Sequence, residues 1–109
     1  AAEKLLRAVN LPNFSTHWQP NQFCSDAYNL EAARALLPWM ENVHVFYWRG
    51  HEHFPLAEGE AMWLEYLRAV GERPLLLEFM HDGRLESLPE TARTLNAWVR
   101  KLEDGAKLV

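Results

Sequence analysis

Apolar positions recur along this chain with two different periods. Three stretches are continuous or alternate every second residue: Phe14-Ser15-Thr16-His17-Trp18, Asn42-Val43-His44-Val45-Phe46-Tyr47-Trp48 and Pro74-Leu75-Leu76-Leu77-Glu78-Phe79-Met80. Short runs of this kind, rich in apolar and aromatic residues, read as strands. Around them the spacing changes to the helical one. Leu5, Leu6 and Val9 give a first helix, and Leu30, Ala33, Leu37 and Met40 a second, capped at Asn29 and bent at Pro38. Trp63, Leu67 and Val70 give a third, stopped by Gly71. Ser87-Leu88-Pro89-Glu90 fits a capping box with proline in the first turn, and Leu88, Ala92, Leu95, Val99 and Leu102 line a fourth helix expected to end near Gly105. The predicted order is α-β-α-β-α-β-α. Strands that alternate with amphipathic helices predict a parallel sheet covered by helices, with right-handed crossovers.

Two polar residues interrupt the strand pattern. Glu78 is the only ionisable group in the third apolar run, and a buried carboxylate is costly unless a cation, a base or a functional role meets it. His44 stands in the second run where the pattern calls for a hydrophobe. A histidine and a carboxylate on neighbouring strands are a common start for a metal site. Alternation puts His44, Phe46 and Trp48 on one face and Val43, Val45 and Tyr47 on the other; in the third strand it separates Leu76, Glu78 and Met80 from Leu75, Leu77 and Phe79. If the first strand extends through Gln19, then Ser15, His17 and Gln19 share a face. In parallel sheets the functional loops follow the carboxyl ends of the strands, here after Trp18, Trp48 and Met80.

Composition narrows the possibilities. A chain of 109 residues forms one domain at most, and 49% hydrophobic residues with five tryptophans imply a dense core or an apolar surface meant for another chain. A net charge of −4, with basic residues scattered among acidic ones, offers no basic stripe and excludes nucleic acid as the expected partner. No apolar stretch approaches the length of a membrane span, and no basic-then-apolar leader opens the sequence, so a cytoplasmic setting is expected. The lone Cys24 reads as an inert thiol, and the first helix begins without a cap, as in a piece of a longer chain. His51 and His53 form an H-x-H pair in a polar loop, Arg49 to Glu58.

Taken in order, His44-Val45, then Pro55-Leu56-Ala57-Glu58-Gly59-Glu60 followed by Trp63, then Leu77-Glu78, resemble the sugar phosphate isomerase/epimerase family of xylose isomerase-like TIM barrels. The similarity runs from about Leu5 to Val99, and its most specific piece is Gly59-Glu60-x-x-Trp63. It implies that the whole chain, residues 1–109, is the C-terminal half of such a barrel, an α/β half barrel with strands six to eight and about four helices. It further implies a divalent metal (Mn, Mg, Co or Zn) at the barrel mouth, held by glutamates, an aspartate and a histidine. By position His44 is the histidine ligand, and Glu78 the last-strand glutamate that serves as ligand and base. The aspartate position is Gln19 and a nearby histidine position is Gln22; an amide oxygen brings no charge, so metal affinity is expected to fall.

The activity this resemblance implies is isomerisation or epimerisation of a small sugar or sugar phosphate by metal-assisted proton transfer beside a carbonyl. Arg49, just beyond the second strand, is placed to grip substrate hydroxyls or phosphate, an ordinary loop salt bridge being the alternative, which includes pairing with Glu78. Trp48 and His17 are further candidate substrate contacts. A full barrel takes about 250 residues. The chain is therefore expected to be cut from a longer enzyme, assembled with a missing N-terminal half, or self-associated, and inactive as a fragment alone. The rival expectation is a non-catalytic homologue or self-associating half-barrel module that has lost its metal.

Overall fold

The computed structural model describes residues 15–77 and 82–107. Strand β1 (Thr16–Trp18) leads to helix α1 (Asp26–Leu36), a 3-10 turn (Leu37–Trp39) and strand β2 (Met40–Val45). A hairpin of β3 (Trp48–Arg49) and β4 (Glu52–His53) follows, then a 3-10 turn (Leu56–Gly59), helix α2 (Glu60–Val70), strand β5 (Leu75–Leu77), a third 3-10 turn (Leu85–Ser87) and helix α3 (Leu88–Lys107). β1, β2 and β5 form one parallel sheet in that order, so each crossover is helical and the α/β expectation holds at this level. The first predicted helix and the strand residues from Glu78 to Met80 lie outside the described residues. No helix among the described residues is long and apolar enough to cross a membrane.

The sheet uses its two faces differently, as period-two alternation requires. Trp18, Val43 and Val45 are buried, with Leu75 and Leu77 packed beside them, against Ala33 of α1, Trp63, Tyr66, Leu67 and Val70 of α2, and Leu95 and Trp98 of α3. Trp63 and Tyr66 are fully buried and meet Trp18 edge to face, at ring separations of 6.4 and 5.3 Å. The opposite face carries His17, Asn42, His44 and Leu76, and Leu76 is 43% exposed. The three helices among the described residues therefore lie on one side.

Local chemistry moves several element boundaries. Helix α1 is capped by Ser25, whose Oγ accepts the Tyr28 amide, rather than by Asn29, which is buried inside the helix. Pro38 does more than bend the helix: α1 ends at Leu36, the chain tightens into the 3-10 turn, and Met40, expected to close the helical stripe, opens β2 instead. Strand β2 spans Met40–Val45 rather than residues 42–48, because the chain leaves the sheet to form the hairpin. α3 runs through Gly105 instead of stopping there, and Leu88 at its start is 37% exposed. The Ser87 hydroxyl donates to Asp82 at 2.6 Å.

Arg73 closes the bottom of the sheet. Its guanidinium donates to the carbonyls of Val70 at 2.7 Å, Met40 at 2.6 Å and Leu37 at 3.4 Å, so one cation caps α2, the 3-10 turn and the start of β2 together. Replacing it leaves half-buried carbonyls without that donor. Arg73→Met is expected to lower unfolding free energy by about 2 kcal/mol, read by urea denaturation, with Arg73→Lys restoring less than half because an ammonium lacks the planar fork.

Tyr66 Oη is buried and has no hydrogen-bond partner among the described residues, and burial pushes its pKa from 10.0 up to about 12. The folded state thus holds this proton more tightly than the unfolded chain. Its contribution to stability is intact below pH 10 and is lost as pH rises through about 12. Tyr66→Phe is expected to flatten that alkaline loss in pH-dependent melting, and to leave neutral-pH stability unchanged or up to ~1 kcal/mol higher, since it removes an unsatisfied hydroxyl.

Candidate functional site

At the carboxyl ends of β1 and β2 two loops are fastened to each other. Asp26, in the first turn of α1, accepts from both terminal nitrogens of Arg49, at 2.7 and 3.1 Å. Arg49 Nε donates to Tyr47 Oη at 3.4 Å, and its guanidinium lies 5.4 Å from the centre of that ring. Hydrogen bonding to Asp26 above all, and to Tyr47 next, holds the Arg49 pKa above its already high ordinary value. Farther out, the Gly50 amide donates to Gln22 O at 3.0 Å. Asn29 makes a reciprocal pair with Asn21, accepting its amide and donating to its carbonyl, both at 3.0 Å. The loop after β1 is therefore held from beneath by Asn29 and from the side by the hairpin.

These contacts settle what Arg49 does in the free chain. Of its two expected roles, the loop salt bridge is present, with Asp26 as the partner, and three of its five N–H groups are engaged. The other two meet no acceptor among the described residues. Neither Asp26 nor Asn21 stands out in the sequence, and Asn29 does so only as a helix cap, although Ser25-Asp26 carries the usual signal of a helix start, a cap followed by an acid in the first turn.

The segment expected as the polar loop Arg49–Glu58 contains the hairpin. Trp48 pairs with His53 and Arg49 with Glu52 across a two-residue turn at Gly50-His51, where Gly50 takes φ +55°, open to glycine at little cost. The H-x-H pair is thereby divided between partners: His53 stacks on Trp48 with ring centres 3.7 Å apart, while His51 meets exposed Phe23 edge-on at 5.3 Å. Trp48 also touches Phe46 at 5.5 Å. One face of the Trp48 indole is thus covered by His53.

Every fixed residue of Gly59-Glu60-x-x-Trp63 has a structural partner. A Cβ at Gly59 would sit 2.8 Å from the Tyr47 ring, so only glycine lets α2 start this close beneath the loop. Glu60 accepts from Lys101 of α3 at 2.6 Å, and the Trp63 indole N–H donates to Phe46 O at 2.8 Å in the interior. The motif builds the walls of the strand end.

On the sheet face opposite the described helices, the rings of His17 and His44 lie with centres 5.3 Å apart and planes inclined at 31°. His17 Nδ1 is 2.7 Å from Asn42 Oδ1 on the adjoining strand. Gln19 is exposed, one residue beyond β1, and Glu78 is outside the described residues. Among the described residues no three His, Cys, Asp or Glu side chains gather as a metal group. The two imidazoles bring two nitrogen donors of the kind that suits a borderline divalent ion to the same sheet face. Comparison with protein-family models, curated proteins and solved structures finds no match to this chain.

The clasp between the loops is part-exposed, at 40% and 42% for Arg49 and Asp26, so solvent screens it and its stability effect is small. Its effect on loop order is larger. Asp26→Asn is expected to cost under ~1 kcal/mol, and to speed amide exchange at Gly50 and in residues 21–25 relative to the strands, an effect that high salt mimics in the parent.

Proposed function

We propose that this chain is the C-terminal part of a xylose isomerase-like barrel, covering its strands six to eight, which isomerises or epimerises a small sugar or sugar phosphate by proton transfer beside a carbonyl with a divalent metal. The observation that supports this reading is His44 on the face of a three-stranded parallel sheet opposite the described helices, against His17, at the end where the two clasped loops rise. A parallel sheet ordinarily has both faces covered. A closed barrel covers the second face with its own interior side chains, and polar residues pointing there face a mouth rather than solvent.

In this reading a bound divalent metal supplies the positive charge that stabilises oxyanion character on the substrate carbonyl. His44 is the ligand on the second strand, with Gln19 as a weak neutral donor. Glu78, next in sequence after β5, is the ligand and the base that takes the carbon-bound proton, a task that fits a carboxylate beside a cation. Arg49 offers its two remaining N–H groups to a hydroxyl or phosphate oxygen while Asp26 fixes the guanidinium plane. Trp48 presents its edge beside His53 as an apolar wall, and His17 lies on the same sheet face as His44.

A second reading rests on the same face, which no element among the described residues covers. A half-barrel module without catalysis would use it, with the edges of β1 and β5, to bind a second copy of itself. Melting in the presence of Mn²⁺ or Co²⁺ separates the two. The enzyme reading expects a rise of several degrees, lost in His44→Ala and in Glu78→Ala. No shift in the parent, together with a dimer by light scattering, replaces it with the module.

A further inference from the structure

We infer that His17, and not Gln19, supplies the strong first-strand donor of the divalent-cation site to which His44 belongs; the inference rests on the metal-dependent reading above. Gln19 occupies the position where the resemblance calls for an aspartate, but it is uncharged, exposed and beyond the end of β1. His17 is in the strand itself, and the sheet holds it in place.

Three observations converge on it. The first is separation: two imidazoles on one tetrahedral cation, each with a metal–nitrogen distance of about 2.0–2.1 Å, have ring centres about 5.2 Å apart. His17 and His44 stand at 5.3 Å. The second is the tautomer. An amide oxygen only accepts, so the 2.7 Å contact with Asn42 Oδ1 suits the tautomer with its proton on His17 Nδ1, which keeps the Nε2 lone pair as the donor. A ligating histidine is commonly held this way, its other nitrogen bonded to a neighbouring acceptor. The third is register. His17 pairs with Asn42 across the β1–β2 ladder, so the residue that orients His17 and the one that shares its cation are two apart on a single strand and on one face.

The substitution changes the chemistry of the site. Two nitrogen donors favour borderline ions such as Zn²⁺, Co²⁺ or Ni²⁺ over Mg²⁺, which prefers oxygen and keeps its water. His17 is exposed and Asn42 half-buried, so truncating the histidine removes little packing.

The test is Co²⁺ titration of the 109-residue chain, followed by visible absorption and by melting temperature. His17→Ala and His17→Gln are expected to weaken Co²⁺ binding at least ~10-fold and to change the absorption band, and Asn42→Leu to weaken it ~10-fold through loss of the orienting bond. Gln19→Ala is expected to change it less than ~3-fold, since a neutral oxygen contributes little. The double variant His51→Ala/His53→Ala is expected to keep the band, which assigns the signal to the sheet face. Mg²⁺ is expected to compete poorly. If His17→Ala binds Co²⁺ like the parent while His44→Ala does not, the assignment of His17 is overturned and the metal-dependent reading stands. If the parent binds no Co²⁺, both fall.

Discussion

The hydrogen bond from the Trp63 indole to the carbonyl of Phe46 governs the geometry at the carboxyl end of the parallel sheet. Phe46 is the first residue beyond β2, and its carbonyl has left the sheet ladder while still buried. An unsatisfied buried carbonyl costs roughly 1–3 kcal/mol, so the chain can turn out of the sheet here only if a donor meets it. The donor comes from the first turns of α2, and the same indole fills the centre of the core against Trp18 and Tyr66. One side chain therefore joins the packing of the helices on the sheet to the exact place at which β2 ends. Gly59 belongs to the same arrangement, since its missing Cβ makes room for Tyr47 immediately after the turn.

With that exit point set, the hairpin and the loop after β1 take positions that reinforce each other. Tyr47 receives the Arg49 Nε, Arg49 grips the first turn of α1 through Asp26, and Gly50 bonds the loop at Gln22. None of these contacts is strong alone, because the charged pair is part-exposed and the rest are single neutral bonds. Together they join two crossover units at their upper ends, while Arg73 joins them at the lower end through three carbonyls. The sheet between is held at both ends and packed on one face. Its other face carries imidazole, amide and a half-exposed leucine, a surface suited to a ligand or a further layer of protein.

How much of this was legible in the residues follows from the range of the forces involved. Alternation correctly divided Val43, Val45 and Tyr47 from His44, because period-two geometry is local and the core accepts only the apolar face. Pro38 and Gly71 marked helix ends for equally local reasons. The hairpin was missed although Arg49-Gly50-His51-Glu52 has the two-residue spacing for one, since strands of two residues carry almost no periodic signal. Asn29 was misread as a cap because its role is to hold Asn21, eight residues earlier, and nothing in the helical pattern announces that pairing. Of the candidate site, the pattern put His17 and His44 each on the polar face of its own strand, whereas their proximity and Asn42 as the partner of His17 depend on the pairing of β1 with β2.

The sequence by itself determined the α/β alternation, the parallel order that helical crossovers impose, and which face of each strand is apolar. These depend on propensity and periodicity, which act over a few residues. Only the tertiary structure decided where β2 stops, which acid Arg49 meets, and which imidazole stands beside His44. Each of those depends on groups 17 to 27 residues apart, Phe46 with Trp63, Asp26 with Arg49, His17 with His44. Distances of that kind are set by how the helices pack on the sheet, and so by the shape of the core around Trp63.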